Sequence, residues 1–294
     1  MTSVSVVADG IYQIKMDETN PPEWLRSSGI YLIVADGQTA LIETGPAVVV
    51  PGVLDAIRQL GHDPSRLSYI ILTHIHLDHA GGAGTLAQQF PQLPVLVHQR
   101  GARHLIDPSR LIEGTRQAWG ERFEDEYGAI LPIAERQVRA VEDGDVIPLG
   151  DTELRIIYTP GHAPHHICIY ETKSQGVFSG DAIGIMPVAG FDLDATLETI
   201  DKLSQLKPKV IFESHGTVRR EIDRHLQSVR AITKAYGEII LEAMSAGEDN
   251  EKIARRLAAY QREHDHNEYL PGERRFDSII TWYVAHFKRK GVVH

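Results

Sequence analysis

The stretch Thr73-His74-Ile75-His76-Leu77-Asp78-His79-Ala80-Gly81-Gly82 places four potential metal ligands within six residues, where an apolar segment ends. In an extended chain, residues i and i+2 point to the same side, so His74 and His76 can converge on one point beyond the strand. Asp78 and His79 follow the turn and can face a second point close by. Such a cluster of imidazole and carboxylate groups at a strand end suits borderline divalent metals. The stretch therefore predicts a metal site at a junction between a strand and a helix.

Three later segments have the same style, with a polar ligand candidate at the end of an apolar strand. They are Thr159-Pro160-Gly161-His162, Phe178-Ser179-Gly180-Asp181 and Glu213-Ser214-His215-Gly216. One histidine on a loop is usually an ordinary surface residue, but the agreement of four segments favours a metal centre. The single cysteine, Cys168, excludes an intramolecular disulfide and a thiolate cluster, so imidazole and carboxylate would have to hold the metal.

The motifs THIHLDHAGG, TPGHAPHH, FSGDA and ESHG resemble the ordered motifs of the metallo-β-lactamase superfamily, and are most similar to its glyoxalase II-like branch. The resemblance covers roughly residues 1–217. It implies an α+β fold, a four-layered αβ/βα sandwich with the site at one edge between two sheets. It also implies two metal ions, the first bound by His74, His76 and His162, the second by Asp78, His79 and His215, with Asp181 bridging them.

Two features depart from the usual pattern of this family. An early strand ends in Leu41-Ile42-Glu43-Thr44-Gly45, where the family has Asp instead of Glu43, as a group behind the metal ligands rather than a ligand. Such groups orient the ligands, so Glu43 is expected to tune the metals or their affinity. In addition, the segment from Glu213 to Thr217 lacks the Tyr that glyoxalase II proper has after its Gly-His-Glu, which argues against lactoylglutathione as substrate.

The ligand set implies a dinuclear hydrolase. Two divalent ions about 3.5 to 4 Å apart lower the pKa of a bridging water from about 15.7 toward neutrality, so that hydroxide is the expected nucleophile. Asp78 and Asp181 are the expected catalytic residues, because they hold the ions and orient that hydroxide. Zinc is the favoured metal, and iron or manganese also suits a site without thiolate. The expected reaction is hydrolysis of a thioester, ester or lactone.

Two other activities are compatible with the same ligand motifs. Some superfamily members with helical C-terminal tails cleave RNA, and a basic run of Arg219, Arg220, Arg224 and Arg230 could meet the phosphates of a phosphodiester or ribonuclease substrate. Persulfide dioxygenases, which are oxidoreductases, also resemble this frame but use one iron held by two histidines and one aspartate. Iron content and sulfite production would distinguish that alternative.

The overall charge indicates which partners to expect. The formal net charge is −10 and the sequence pI is near 5.8, so there is no global basic field for nucleic acid or anionic lipid. The N-terminal segment has no cationic stretch before an apolar run, and no segment approaches the roughly 20 apolar residues that span a bilayer. A cytoplasmic protein that acts on a small molecule is therefore expected.

The remaining sequence indicates two parts. Within a catalytic domain at residues 1–217, short strands alternate with helices, and residues 101–140 carry helical patterns that predict an inserted cap. Residues 218–294 read as a helical extension, with breaks at Gly247 and at residues 270–272. This extension is too small for a strong core of its own, so its apolar stripes should pack on the preceding domain or form a homodimer interface.

Overall fold

The computed structural model describes residues 2–16, 29–184, 187–216, 218–264 and 273–292, and the chain folds as two compact units. The first unit comprises residues 1–158, 165–180 and 209–220, and the second comprises residues 159–164, 181–208 and 221–294. The strands, all in the first unit, are β1 Thr2–Ala8, β2 Ile11–Met16, β3 Ile30–Ala35, β4 Gln38–Ile42, β5 Tyr69–Ile71, β6 Val95–His98, β7 Val138–Val141, β8 Val146–Leu149, β9 Thr152–Tyr158, β10 Ile167–Glu171, β11 Gly176–Gly180, β12 Val210–Glu213 and β13 Val218–Arg219. The helices are α1 Val50–Gln59, α2 Leu77–Ala80, α3 Ala83–Gln89, α4 Gln99–Ile106, α5 Ser109–Trp119, α6 Phe123–Tyr127, α7 Leu193–Leu206, α8 Ile222–Ser245, α9 Asn250–Glu263 and α10 Glu273–Arg289.

The first sheet has seven strands in the order β1 to β7. Strands β1 to β4 pair antiparallel, as their short, turn-separated apolar runs predict, whereas β4 to β7 pair parallel through helical crossovers. Side chains along β3 alternate between two cores: Leu32 packs with the helices on one face, and Ile33 packs toward the second sheet. The helix-side core takes its apolar stripe from α1, in which Val53 and Ile57 are completely buried.

The second sheet has six strands in the order β13-β12-β11-β10-β9-β8. Only the β11 and β12 pair is parallel, so both sheets are mixed. Phe178 and Phe212 stack with ring centroids 4.6 Å apart, in the same core as Ile33 and Leu96 of the first sheet. Buried side chains from both inner faces therefore form one apolar layer, which confirms the predicted α+β sandwich.

The predicted cap corresponds to three helices, α4 to α6, in the crossover between the parallel strands β6 and β7. Phe123 and Tyr127 of α6 form a small apolar cluster with Leu77. Leu77 lies between two predicted ligands, His76 and Asp78. This cluster therefore connects the inserted helices to the ligand segment, residues 73–82.

The second unit is a helical body with a core of its own. Ile232, Tyr236 and Tyr283, from α8 and α10, pack with Phe191 and Leu193 near the start of α7. The helical C-terminal region is thus as predicted, and the unit also includes residues 159–164 and 181–208. No described helix is long and apolar enough to cross a membrane.

Three short strands were missed by the sequence patterns. Val138–Val141 lies at the end of the predicted cap and pairs with β6, and Val146–Leu149 pairs with β9. Val218–Arg219, expected to be helical, pairs with β12 instead. Segments this short acquire their structure from ladder partners rather than from local periodicity. The predicted break at residues 270–272 lies outside the described residues.

Candidate metal centre

The ligand segment begins where β5 ends. The backbone N–H of Ile167, on β10 of the other sheet, donates to the carbonyl of Thr73 at 2.8 Å, which fixes the chain just before His74. His76 is the last extended residue before α2, and its carbonyl accepts from the N–H groups of His79 and Ala80 at 3.0 and 2.8 Å. Asp78 and His79 are therefore presented by the first turn of a helix, as the motif predicts.

Three donor atoms of the first unit form a small triangle. His79 Nε2 lies 3.1 Å from His215 Nε2, His215 Nε2 lies 3.1 Å from Asp78 Oδ2, and Asp78 Oδ2 lies 3.3 Å from His79 Nε2. Ligand atoms about 2.0 to 2.1 Å from a tetrahedral ion are separated by about 3.3 Å, so the spacing fits a single divalent cation. Two imidazoles and one carboxylate are also a suitable donor set for zinc, iron or manganese.

His79 is deeply buried, whereas the other two residues of this triangle are partly exposed. The side chains of Asp78 and His215 are 19% and 17% exposed, and that of His79 is 2% exposed. Burial alone would raise the pKa of the Asp78 carboxyl, but the His79 charge and the hydrogen bonds from both imidazoles hold it well below its ordinary value. The carboxylate is therefore ionised at neutral pH, as a metal ligand has to be.

Glu43 contacts the side of the histidines opposite to this triangle. Its Oε1 lies 3.5 Å from His79 Nδ1, and it accepts a hydrogen bond from the hydroxyl of Thr73. The Thr73 hydroxyl also lies 3.0 Å from His74 Nδ1. Because that hydroxyl has one proton, which it gives to Glu43, it accepts the Nδ1 proton of His74. With its proton on Nδ1, His74 presents an unprotonated Nε2, the form that binds metal.

The backbone at Glu43 is unusual. Its φ is +63°, in the left-handed region that non-glycine residues adopt at a cost of about 1 to 2 kcal/mol. The Thr73 N–H donates to both carboxylate oxygens at 3.3 and 3.4 Å, and the side chain is 2% exposed. Strain of this kind persists where surrounding contacts over-determine it, which is common at functional sites.

Two of the predicted ligands, His162 and Asp181, belong to the second unit. His162 Nε2 lies 3.4 Å from Asp181 Oδ2, and both side chains are almost completely buried. The segment before His162 is held by the start of α7, where the Asp192 N–H donates to the Gly161 carbonyl at 2.8 Å and Thr199 Oγ1 donates to the Pro160 carbonyl at 2.7 Å. Any side chain at residue 161 would clash with Thr196, which requires glycine there. The TPGH motif thus serves the packing of this loop.

His74 and His76 have two further histidines beside them. The rings of His74 and His76 meet edge to face at 4.5 Å, and His165 and His166 lie 6.3 and 5.1 Å from His74, measured between ring centroids. His166 is completely buried. His165 and His166 therefore lie next to two of the predicted ligands.

Thr73 was not among the predicted site residues, although it directly precedes His74. A hydroxyl between a buried carboxylate and an imidazole orients both, and its place next to a ligand was the only available signal. Tyr31, which packs against Phe178 and Phe212, was not among the predicted site residues either.

Residues 25–215 match the family model described as the metallo-beta-lactamase superfamily, which is well over half of the chain. The chain belongs to the metallo-β-lactamase superfamily. The superfamily includes hydrolases, and this chain is an enzyme of that superfamily.

Two relatives with named activities match part of the amino-acid sequence of this chain. It is 26% identical over 239 residues to an atrochrysone carboxyl ACP thioesterase of Aspergillus fumigatus, a match that spans 77% of this chain and 65% of the relative. It is 29% identical over 177 residues to an N-acyl homoserine lactonase of Bacillus thuringiensis, spanning 55% of this chain and 61% of the relative. The matched region is therefore less than two thirds of the length of either relative.

A solved structure covers nearly the whole chain. A metallo-beta-lactamase family protein of Thermus thermophilus has a TM-score of 0.71 at 20% identity, over 97% of this chain and 95% of that one. This likeness shows the fold, including a helical region beyond the sandwich.

Proposed function

We propose that this chain is a dinuclear metal-dependent hydrolase that cleaves a thioester, ester or lactone. The observation that carries the proposal is the triangle of Asp78 Oδ2, His79 Nε2 and His215 Nε2, with sides of 3.1 to 3.3 Å. Uncoordinated imidazoles gain little from such a close approach of two ring nitrogens, whereas a shared cation accounts for it.

In the proposed centre the ligands divide into two sets that share one carboxylate. His74, His76 and His162 would hold one ion, Asp78, His79 and His215 would hold the other, and Asp181 would be the carboxylate that both sets share. When bound, the ions supply Lewis acidity to the scissile carbonyl and bring the pKa of a coordinated water toward neutrality. Zinc is our first choice, with iron or manganese as alternatives.

The protein groups position the reactants. Asp78 contacts both imidazoles through Oδ2, so its second oxygen can accept a hydrogen bond from the attacking water and direct a lone pair at the carbonyl carbon. We assign the same role to Asp181, which lies beside His162. The partial exposure of Asp78 and His215 gives substrate an approach, while buried His79 and Glu43 keep solvent from the rear of the ligands.

A covalent intermediate on the protein is not part of the proposal. Cys168 is completely buried in β10 and its thiol donates to the Ser179 carbonyl at 3.4 Å, and Ser179 itself is completely buried in β11. Neither side chain can reach a substrate, so we assign neither a nucleophilic role and propose water as the nucleophile.

We favour carbonyl substrates for two reasons, which are the names of two relatives and the contacts that three arginines of the basic run make within the protein. Two matched proteins are named a thioesterase and a lactonase, and both cleave an acyl bond. Three arginines of the run contact groups of their own unit: Arg219 contacts Glu213, Arg220 donates to the Val7 carbonyl at 2.9 Å, and Arg230 pairs with Asp201 at 2.6 Å. A phosphate backbone would have to displace these contacts.

The test combines metal analysis with a substrate panel. Purified protein should contain about two zinc, iron or manganese ions per chain and hydrolyse at least one member of a set of acyl thioesters, lactones and aryl esters. Turnover should stop on chelation and return with added metal. A single tightly held iron with sulfite production from a persulfide would support the dioxygenase alternative, and cleavage restricted to phosphodiesters would support the nuclease alternative.

A further inference from the structure

His215 lies in the short connection between β12 and β13. Phe212 pairs with Val218 in the antiparallel ladder, so the chain leaves one strand after Glu213 and enters the other at Val218. The position of the His215 imidazole, within 3.1 Å of both Asp78 and His79, depends on how the backbone next to it is supported.

That support comes from β3, on the opposite sheet. The phenol of Tyr31 donates to the backbone carbonyl of Glu213 at 2.6 Å, and the Gly29 N–H donates to the carbonyl of Ser214. These are the two residues directly before His215. A side chain at residue 29 would lie 2.6 Å from the Glu213 carbonyl oxygen, so glycine permits this close approach.

The side chain of Tyr31 is held in place by burial, by ring packing and by a hydrogen bond. It is 1% exposed, its ring meets Phe178 edge to face at 5.2 Å, and the Gln13 amide donates to its hydroxyl at 3.1 Å. Because Gln13 occupies an acceptor position, the hydroxyl proton is directed to the Glu213 carbonyl. Burial, and then the nearby Glu213 charge, raise the pKa of Tyr31, so the phenol remains a donor at all physiological pH values.

The side chain of Glu213 holds the loop from its other flank. Arg219 Nε lies 3.3 Å from both Glu213 carboxylate oxygens, which joins the two strands of the hairpin. A Cβ at residue 216 would clash with the Glu213 carboxylate, so Gly216 leaves room for this ion pair. Glu213, which precedes His215, is thus joined to Arg219, which follows it.

We propose that Tyr31 is a positioning residue for the metal centre, acting through the Glu213 carbonyl to hold His215 in place and so to set the affinity of the Asp78, His79 and His215 set. Tyr31 contacts neither ion nor substrate in this arrangement. The inference rests on the proposed function only in requiring that these three residues bind a cation.

The test is a cobalt titration of metal-free protein, followed by the visible absorption of bound Co²⁺. Tyr31→Phe removes the hydroxyl and keeps the ring that packs on Phe178. We expect one of the two binding steps to weaken by about 10- to 100-fold, the range that loss of a group behind a ligand commonly produces, with the other step unchanged. The weakened step should be the one that His215→Ala removes and His162→Ala leaves.

A matched control comes from the helical unit. Tyr283 is also almost completely buried, and its hydroxyl donates to the Thr233 carbonyl at 3.0 Å, so Tyr283→Phe removes a similar hydrogen bond far along the chain. Its cobalt affinities should equal those of the wild type. Arg219→Gln is a second test variant, since Arg219 is partly exposed and its loss loosens the same hairpin without changing the core.

The outcomes distinguish the positioning role of Tyr31 from the existence of the metal centre itself. Selective weakening of the His215 step in Tyr31→Phe and Arg219→Gln supports the positioning role. Wild-type cobalt binding in both folded variants would overturn it and leave the metal centre standing. Equal weakening of both steps, together with a similar effect of Tyr283→Phe, would show general destabilisation and also overturn it. Failure of the wild-type protein to bind cobalt would refute the metal centre itself and this inference with it.

Discussion

Replacement of Glu43 by Gln tests the chain of contacts behind the ligands. Glutamine has the same shape, and its carbonyl can still accept from the Thr73 hydroxyl. Its amide group, however, would face the Nδ1 proton of His79, which lies 3.5 Å from the carboxylate in the wild type. The amide N–H of glutamine and the Nδ1–H of His79, both hydrogen-bond donors, would then face each other. A negative charge close to the metal centre would also be lost.

The expected size of the effect follows from these contacts. A hydrogen bond to a charged group contributes about 1.5 to 3 kcal/mol, and a 10- to 100-fold change in affinity corresponds to about 1.4 to 2.7 kcal/mol. We therefore expect Glu43→Gln to weaken metal binding by about 10- to 100-fold, more at the set containing His79 than at the set containing His74. The metal affinity of the set containing His74 should fall less, because the glutamine carbonyl can still accept a hydrogen bond from the Thr73 hydroxyl.

The assay is competition of apo protein with a chromophoric chelator for Zn²⁺, with unfolding followed by circular dichroism. Glu171→Gln is the matched control, because Glu171 is equally buried and accepts from the hydroxyl of Thr152 and the Lys173 N–H at 2.8 Å. Zinc affinities of Glu43→Gln within twofold of the wild type would refute the reasoning. An equal loss in Glu171→Gln would show that burial of any carboxylate, rather than contact with the ligands, is responsible.

Further predictions concern other parts of the molecule. Asp181→Ala should lower turnover by more than about 100-fold with an unchanged circular dichroism spectrum, because it removes a ligand rather than a group behind one; near-normal rates would contradict its assignment. Phe123→Ala should destabilise the fold by about 3 to 5 kcal/mol and loosen the segment at Leu77, measured by denaturant unfolding, whereas a change below about 1 kcal/mol would show that the inserted helices do not support it. Asp192 caps α7 through the Ala195 N–H; burial raises its pKa, but that hydrogen bond and the charges of His286 and Lys290 more than offset this and lower it. The carboxylate therefore stabilises the fold above about pH 4, and the stability advantage of the wild type over Asp192→Asn should disappear as pH falls below that value; an advantage that grows toward acid would be the wrong sign. Removal of residues 221–294 should expose Phe191 and Leu193 and lower solubility, and a truncated protein that stays soluble and equally active would show that the helices are dispensable.

The sequence alone was sufficient to predict the fold class and to nominate seven ligands. Both came from patterns that are local in the chain: alternation and helical spacing depend on neighbouring residues, and HxHxDH places four donors within six positions. Each remaining ligand ends an apolar strand, which is also a local signal. The departure at Glu43 was visible for the same reason.

Other features depended on residues that are distant in sequence. The link from Glu43 through Thr73 to His74 joins positions 30 residues apart, and the hydrogen bond from Tyr31 to Glu213 joins positions 182 residues apart. The strands at 138–141, 146–149 and 218–219 likewise depend on their ladder partners. Hydrogen bonds and ladder pairs across sheets carry no periodicity in the chain, so only the tertiary structure could reveal which buried hydroxyl and carboxylate hold the ligands in place.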